Sequence, residues 1–228
     1  MELIRFTYIS LILFTISYPL FKSFEDKIRY ASKWKYLFPG IIGSAIFFIV
    51  WDVLFTQMGI WEFNPDYILG IHIINLPLEE WLFFIVVPFS CVFIYEVMNY
   101  FVQKDILQHY HKWISIALIL FLLTIAIMNS HKLYTFFTFI FLAAFLLIHL
   151  LIFRSAYMGR FYLTWLVCMV PFLLVNGVLT AMPVVIYNNA HNLGIRIYTI
   201  PFEDVFYGML NILQVITIYE WLKNKKAA

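Results

Sequence analysis

Apolar residues are grouped along the chain in seven long runs, separated by short polar segments. A helix needs about 20 mostly apolar residues to cross the roughly 30 Å of hydrocarbon in a bilayer, and the runs are about that long. No small-x-small cleavage site follows the first run, so we expect that helix to be retained. The pattern predicts seven transmembrane helices, at about 3–20, 37–57, 77–101, 113–129, 135–153, 162–182 and 200–222.

Composition supports a membrane protein and excludes several other classes. Of the 228 residues, 64% are hydrophobic and only 12% are charged, whereas an ordinary soluble domain carries about 25% charged residues. The same shortage of charge excludes a disordered chain, and a net charge of +2 does not suit a nucleic-acid partner. No long polar linker divides the chain, so we expect a single membrane domain over residues 1–228.

Basic residues are concentrated on one side of the predicted membrane. Twelve of the 15 Lys and Arg residues lie in or beside the segments that follow the first, third, fifth and seventh helices, among them Arg154 and Lys226. The other side holds only Arg5, Lys132 and Arg196. By the positive-inside rule we expect a multi-pass protein of the cell (inner) membrane, with its N-terminus outside and its C-terminus in the cytoplasm.

The sequence resembles itself at an offset of 124 residues, without gaps. Glu80 is matched by Asp204, and Asp52 is matched by Asn176. A repeat of this kind decides the architecture and has to be recognised first. The identical pairs include Asn64 with Asn188, Gly70 with Gly194, Pro77 with Pro201, Glu79 with Glu203, and Tyr95-Glu96 with Tyr219-Glu220.

Each repeat contains three helices, and three is an odd number. Joining two such units directly would invert the second, so the fourth helix, apolar from Ile114 to Met128, restores the parallel orientation as a linker. We therefore predict an all-α, polytopic membrane helix bundle built from two parallel three-helix repeats. Its expected parts are repeat 1 at about 1–102, the linker helix at about 113–129, and repeat 2 at about 135–228.

Both repeats begin their third helix with a proline and two adjacent acids, Pro77-Leu78-Glu79-Glu80 and Pro201-Phe202-Glu203-Asp204. A proline in the first turn and an acid near the positive end of the helix dipole are ordinary features, and they explain one acid per helix. They do not explain two, because ionisable groups that lead into a membrane are costly. We therefore predict catalytic roles for Glu79, Glu80, Glu203 and Asp204.

Asp52 is a fifth catalytic candidate. It lies about 9 Å inside its helix by the helical rise, no basic residue in that helix can pair with it, and the topology places it in the same layer as the other acids. Close carboxyl groups cannot all ionise cheaply, so some should hold protons and act as general acids. Asn176 cannot ionise, which makes the two halves of the site chemically unequal.

Other chemistry is not indicated. Glu96 and Glu220 lie about 25 Å further along their helices, at the opposite boundary, where we expect ordinary interfacial acids. No G-x-G-x-x-G or H-E-x-x-H motif is present, and Cys91 and Cys168 lack a metal-ligand spacing. We therefore expect no flavin and no metal site, while assistance from a reduced nicotinamide or a metal stays open.

These motifs resemble those of the integral membrane, non-flavin lycopene β-cyclases, in which two homologous membrane units occur as separate subunits or fused. The resemblance covers nearly the whole chain, looks like the fused form, and extends to Asp52 and to Asn176-Gly177. It rests on Gly70, Pro77-Leu78-Glu79-Glu80-Trp81-Leu82-Phe83-Phe84, Tyr95-Glu96, Asn188, Leu193-Gly194-Ile195-Arg196, Pro201-Phe202-Glu203-Asp204 and Tyr219-Glu220-Trp221.

The resemblance implies conversion of lycopene to β-carotene by an intramolecular lyase or isomerase, with no net redox change. An acid protonates C2 of the terminal double bond, the C5–C6 double bond attacks the C1 cation, and a base removes the C6 proton. Aromatic faces near the acids could stabilise the cation. The residues expected to contact substrate are Trp81, Phe83, Phe84, Tyr207, Asn176 and Arg196.

Lycopene and the lipid bilayer are thus the expected partners, and a homo-oligomer or contact with other carotenoid enzymes stays open. Two alternatives remain at this point. Another end-group enzyme, such as a C50 carotenoid cyclase or a hydratase, would share these motifs. A proton-coupled carrier could use the acidic layer as a relay, although no acids lie in the middle of the membrane to continue it.

Overall fold

The computed structural model describes residues 2–153 and 156–225. Arg154 and Lys226, which contributed to the charge asymmetry, lie outside the described residues. Within this part of the chain, seven helices are long and apolar enough to cross a membrane, which confirms the predicted number. They are α1 (Thr7–Lys22), α2 (Trp34–Gln57), α3 (Leu78–Phe101), α4 (His111–Met128), α5 (Leu133–Ile148), α6 (Met158–Ala181) and α7 (Phe202–Lys225).

Short helical segments extend several of these spans. A 3-10 helix from Glu2 to Phe6 precedes α1, and another from Tyr30 to Lys33 lengthens the second span beyond its predicted start at 37. A π-helical turn, His149–Phe153, continues α5, so the fifth span ends at 153 as predicted.

Six short strands lie together at one end of the bundle, here called the hairpin end. They are β1 (Trp61–Phe63), β2 (His72–Ile73), β3 (Leu76–Pro77), β4 (Val185–Tyr187), β5 (Arg196–Ile197) and β6 (Ile200–Pro201). The strands β2 and β3 form a hairpin in repeat 1, and β5 and β6 form the matching hairpin in repeat 2. The strands β1 and β4 pair antiparallel between the repeats and join them.

The two repeats run parallel, as predicted. The first turns of α1 and α3 meet at the hairpin end, where Tyr8 contacts Glu80. The first turns of α5 and α7 meet there too, through Tyr134 and Asp204. The odd-numbered helices therefore all start on the same side, and α4 makes the extra crossing between the repeats.

The two repeats pack closely through α2 and α7. Gly40 on α2 allows this approach, because a Cβ atom at that position would lie 2.9 Å from the backbone oxygen of Val215 on α7. Further along the same interface, the Ser44 hydroxyl donates to the side-chain oxygen of Asn211 at 2.9 Å. Hydrogen bonds of this kind between helices hold membrane bundles together, since lipid offers no competing partner.

The sidedness of the bundle can be tested by labelling. Asp66→Cys and Ala190→Cys place thiols beside Asn64 and Asn188, in exposed loops at the hairpin end. We expect an impermeant maleimide to label both from outside intact cells, and to label Lys27→Cys only after permeabilisation, because most basic residues lie on the side of Lys27. Labelling of positions 66 and 190 from opposite sides would contradict the parallel repeats. Labelling of all three with the sides exchanged would contradict only the orientation.

Candidate active site

The two loops at the hairpin end place the acidic pairs in the same way. In each repeat a glycine with positive φ precedes the hairpin, Gly70 at 81° and Gly194 at 75°. The tip of each hairpin is also left-handed, at Ile74 with φ 61° and at Tyr198 with φ 59°. Each hairpin ends on a proline, and α3 and α7 begin at the next residue. The acids are therefore presented from the first turns of two equivalent helices.

The first acid of each pair holds its own loop. The backbone N–H of Leu69 donates to Glu79 Oε1 at 2.6 Å, and the backbone N–H of Leu193 donates to Glu203 Oε1 at 2.7 Å. Thr135 on α5 also donates to Glu203, at 2.6 Å. Glu79 and Glu203 are fully buried, and neither lines the cavity described below.

The second acid of the first pair, Glu80, faces the interior of the bundle and meets Asp52. The two carboxyl groups lie close to each other, and close carboxyl groups in a buried site cannot both ionise cheaply. The Tyr8 hydroxyl donates to Glu80 Oε2 at 2.6 Å, and the Tyr207 hydroxyl donates to Asp52 Oδ1. Two tyrosines, one from each repeat, therefore hold a close pair of carboxyl groups.

Asp204, the counterpart of Glu80, has a different environment. Tyr134 donates to its Oδ1 at 2.6 Å, and Oδ2 accepts from Asn176 Nδ2 at 2.8 Å and from the Tyr187 hydroxyl at 2.9 Å. Asn176 stands where repeat 1 has Asp52, so the second half of the site contains an amide donor in place of a second acid. Hydrogen bonds to a charged acceptor are stronger than neutral ones, and three donors favour a negative charge on Asp204.

Tyr187 is the member of this group that lies on a strand. Burial and the neighbouring Asp204 raise the pKa of the Tyr187 hydroxyl well above its ordinary value of 10.0, so it stays protonated and keeps donating. Its position depends on the β1–β4 pairing, in which Trp61 lies opposite Tyr187.

The three inward-facing carboxyls lie at one end of an apolar cavity of about 430 Å³. Phe63, Val185 and Tyr187 cover this end. Most other lining residues along the cavity are apolar or aromatic, and they come from α1, α3, α6 and α7. Among the residues that the structure describes, the lining contains no Lys, Arg or His. The acids therefore face hydrocarbon-like space in which no basic side chain neutralises them.

The residues predicted to contact substrate divide into two groups. Asn176, Phe83 and Tyr207 line the cavity. Phe84 is fully buried elsewhere, stacked on Phe48 with ring centroids 5.8 Å apart. The other two also lie outside the lining. Among the described residues, the buried indole N–H of Trp81 has no hydrogen-bond partner. The Arg196 side chain donates to Asn189 and Asn192, and its guanidinium carbon lies 5.9 Å from the centre of the Tyr187 ring.

Three tyrosines of the site, Tyr8, Tyr134 and Tyr187, were not predicted from the sequence. A signal for Tyr187 is present in the repeat, because its counterpart is Phe63 and the second repeat gains a hydroxyl group there. Tyr8 and Tyr134 occupy corresponding places near the start of α1 and α5, in the part of the repeat where sequence similarity is weakest.

Residues 2–153 and 156–225 contain no group of three His, Cys, Asp or Glu residues suited to a metal ion. This finding does not test what the reaction requires, so the expectations about flavin, metal and nicotinamide stay predictions from the sequence.

A second polar cluster lies at the opposite end of the bundle and is structural in form. Glu96 forms ion pairs with Lys33 and with Lys223, the latter at 3.3 Å, and accepts from the Tyr219 hydroxyl at 2.8 Å. The cluster joins the 3-10 helix before α2 to α3 and α7. Glu220 contributes an ion pair with Lys223 at 3.3 Å. These contacts agree with the interfacial role expected of both glutamates.

The fold and the site define a multi-pass membrane protein with a cluster of buried carboxyl groups at the end of an apolar cavity. The model of the lycopene cyclase family matches residues 5–98 and 131–222, one region in each repeat. The chain belongs to the lycopene cyclase family, which makes it a cyclase that acts on carotenoids. The segment between the two matched regions contains α4. Comparisons of the chain with curated proteins and with solved structures find no match.

Proposed function

We propose that this protein is a lycopene β-cyclase that converts the acyclic ends of lycopene to β-ionone rings in carotenoid biosynthesis. The observation that carries the proposal is the arrangement of Asp52, Glu80 and Asp204 at one end of an apolar cavity. Such a site offers protons to a hydrocarbon, holds a carbocation beside negative charge, and excludes the water that would trap it. The reaction is an isomerisation, so nothing is oxidised or reduced.

The Asp52–Glu80 pair is the general acid in this proposal. We assign the transferred proton to this pair because two close carboxyl groups cannot both ionise cheaply, and Tyr8 and Tyr207 hold the two groups in place. Transfer of that proton to C2 of the terminal double bond leaves a cation at C1. The pair becomes doubly charged at the same moment and stabilises the cation electrostatically.

Asp204 is the general base. The electron pair of the C5–C6 double bond forms the C1–C6 bond, which moves the cation to C5. Asp204 then removes the C6 proton, and the C5–C6 double bond of the β-ring forms from that C–H bond. Its three hydrogen-bond donors, Tyr134, Asn176 and Tyr187, keep the carboxylate charged until this step. Between turnovers Asp204 releases the proton that it removed and the acid pair takes one up, both by exchange with water, so that no proton is gained or lost overall.

Aromatic faces complete the site. Trp61, Phe83, Tyr187 and Tyr207 line the cavity beside the carboxyls, and the Trp61 ring lies 6.1 Å from Tyr187 and 6.3 Å from Tyr207 between centroids. The negative faces of such rings attract a cation at short range. They can therefore follow the positive charge from C1 to C5.

Glu79 and Glu203 are positioning residues in this account. Each binds a backbone N–H of the loop before its hairpin, and that loop leads into the helix that carries Glu80 or Asp204. The proposed reaction needs neither flavin nor metal. In this proposal the protein lies in the cell (inner) membrane and takes lycopene from the bilayer.

Expression in a bacterium that accumulates lycopene tests this function. Pigments extracted from the cells and separated by chromatography should contain carotenes with β-rings, and the empty vector should leave lycopene unchanged. Hydroxylated C40 products in place of β-carotene would assign the chain to another end-group reaction. Unchanged lycopene, with the protein present in the membrane, would contradict the proposal.

A further inference from the structure

The course of the cavity shows how a long hydrocarbon would enter it. On α3, Glu80 and Phe93 both line the cavity, and thirteen residues of helix between them span about 20 Å. On α6 the lining runs from Leu179 to Trp165, which is again about 20 Å. The cavity is therefore a channel that runs from the acids most of the way across the bundle.

The wall of this channel is incomplete between α1 and α6. Phe14 and Tyr18 on α1 line the channel and are also 70% and 63% exposed. Pro171 on α6 faces them and is likewise both lining and exposed. The two helices make few contacts with each other, whereas α3 and α7 close the opposite wall. We call the gap bordered by Phe14, Ser17, Tyr18, Pro171 and Phe172 the α1–α6 opening.

The opening faces the hydrocarbon of the bilayer. Phe14 is six residues beyond Tyr8 on α1 and Tyr18 is ten beyond it, so the opening lies about 9–15 Å from the acid layer. The hairpin end, by contrast, is covered by the β1–β4 strands. A polyene already dissolved in lipid can pass through this opening without crossing water.

The substrate is longer than the channel. An extended C40 polyene is about as long as the hydrocarbon core is thick, roughly 30 Å, whereas the channel measures about 20 Å. When one end of the polyene lies at the acids, the rest of the polyene has to pass out through the opening. The protein then surrounds one end of the substrate and leaves the other in lipid.

We propose that the α1–α6 opening is the lateral entrance for substrate and that the enzyme recognises a single acyclic end with its adjoining chain, whatever the far end carries. This inference rests on the proposed function. It assigns the opening to a linear polyene that enters from the bilayer with its acyclic end first.

The first test uses a polyene that has one acyclic end and, at the other, a ring esterified with a long fatty acid. Membranes that contain the enzyme should cyclise its acyclic end at a rate within about threefold of that for one end of lycopene, a difference below 1 kcal/mol. Cyclisation of lycopene without cyclisation of the ester would overturn the inference and leave the proposed function standing. Failure to cyclise either compound would overturn the proposed function.

The second test blocks the opening and measures binding, so it does not depend on turnover. Ser17→Trp on α1 and Val175→Trp on α6 place a large ring into the channel or its opening, since both residues line it. Leu13→Trp and Leu174→Trp are matched controls, because Leu13 and Leu174 are 60% and 65% exposed on the same helices and do not line the channel. All four are made in a Glu80→Gln background, which we expect to bind substrate and to consume it about 10²–10⁴-fold more slowly.

Lycopene that copurifies with each variant is extracted and measured against protein. The two blocking variants should retain about tenfold less lycopene, equivalent to about 1.4 kcal/mol of binding free energy, and the controls should match the Glu80→Gln parent. Equal retention by well-folded blocking and control variants would overturn the α1–α6 opening as the entrance. If one blocking variant fails to accumulate in the membrane, the other decides.

Discussion

Glu80→Gln should lower the rate of lycopene cyclisation by about 10²–10⁴-fold, the usual effect of losing a general acid. Glutamine keeps the shape of the side chain and accepts the hydrogen bond from Tyr8. As an amide it cannot serve as the carboxylic acid that the mechanism requires of the Asp52–Glu80 pair. A loss of this size is therefore attributable to proton transfer, and the initial rate of β-ring formation in isolated membranes measures it.

Glu79→Gln is the matched control, because it makes the same replacement one residue earlier in the same helix. The side-chain oxygen of glutamine still accepts from the backbone N–H of Leu69, and Glu79 does not line the cavity. We expect a rate within about tenfold of the unaltered enzyme, since the weakened hydrogen bond costs on the order of 1 kcal/mol. Equal losses at positions 79 and 80 would refute the separation of catalytic from positioning acids.

Asp52→Asn and Asp204→Asn should each abolish nearly all activity, although they lie in different repeats. The reason is that the site is composite: Tyr207 of repeat 2 holds Asp52 of repeat 1, and a single cavity contains both acids. The double variant should be no slower than the poorer single variant, because residues that act as a unit are not additive. Rates of the three variants, normalised to protein in the membrane, make the comparison.

Two independent sites would give another pattern. Each single substitution would leave about half of the turnover, and only the double substitution would remove the rest. That outcome would disprove the composite site and would leave the assignment to cyclisation intact.

The seven helices and their parallel repeats could be predicted because a bilayer imposes a minimum length of apolar sequence on each crossing. The 124-residue offset then fixes how many crossings each repeat contains. The acidic layer follows from the same topology, since Glu80, Asp204 and Asp52 have to lie on one side. None of these steps requires knowledge of which face each helix turns inward.

The division of labour within each acidic pair could not be predicted. Neighbouring residues on a helix point about 100° apart, so the rotation of α3 decides whether Glu79 or Glu80 faces the cavity. That rotation is set by packing against α1, α2 and α6, which leaves little trace in an almost uniformly apolar helix. The same limit explains why Trp81 and Phe84, one and four residues after Glu80, stand outside the lining.

Tyr187 depends on a long-range contact. It reaches Asp204 because β4 pairs with β1 across the two repeats, and strands of three residues have no periodicity that a sequence could show. Arg196 was expected at the site because its motif adjoins the second acidic pair. Its side chain donates to Asn189 and Asn192 and lies beside the Tyr187 ring, outside the cavity lining, so its contact with substrate stays a prediction.

Cyclisation of lycopene in D₂O tests the central claim most directly. In the proposed mechanism the acid pair delivers a solvent-derived proton to C2, and a different group removes the C6 proton. Membranes that contain only this chain should yield, over many turnovers, a product with the mass of lycopene in H₂O and one additional deuterium at C2 of each ring in D₂O. A β-ring that carries no deuterium, or a product whose mass in H₂O differs from that of lycopene, would contradict acid–base cyclisation by these carboxyls.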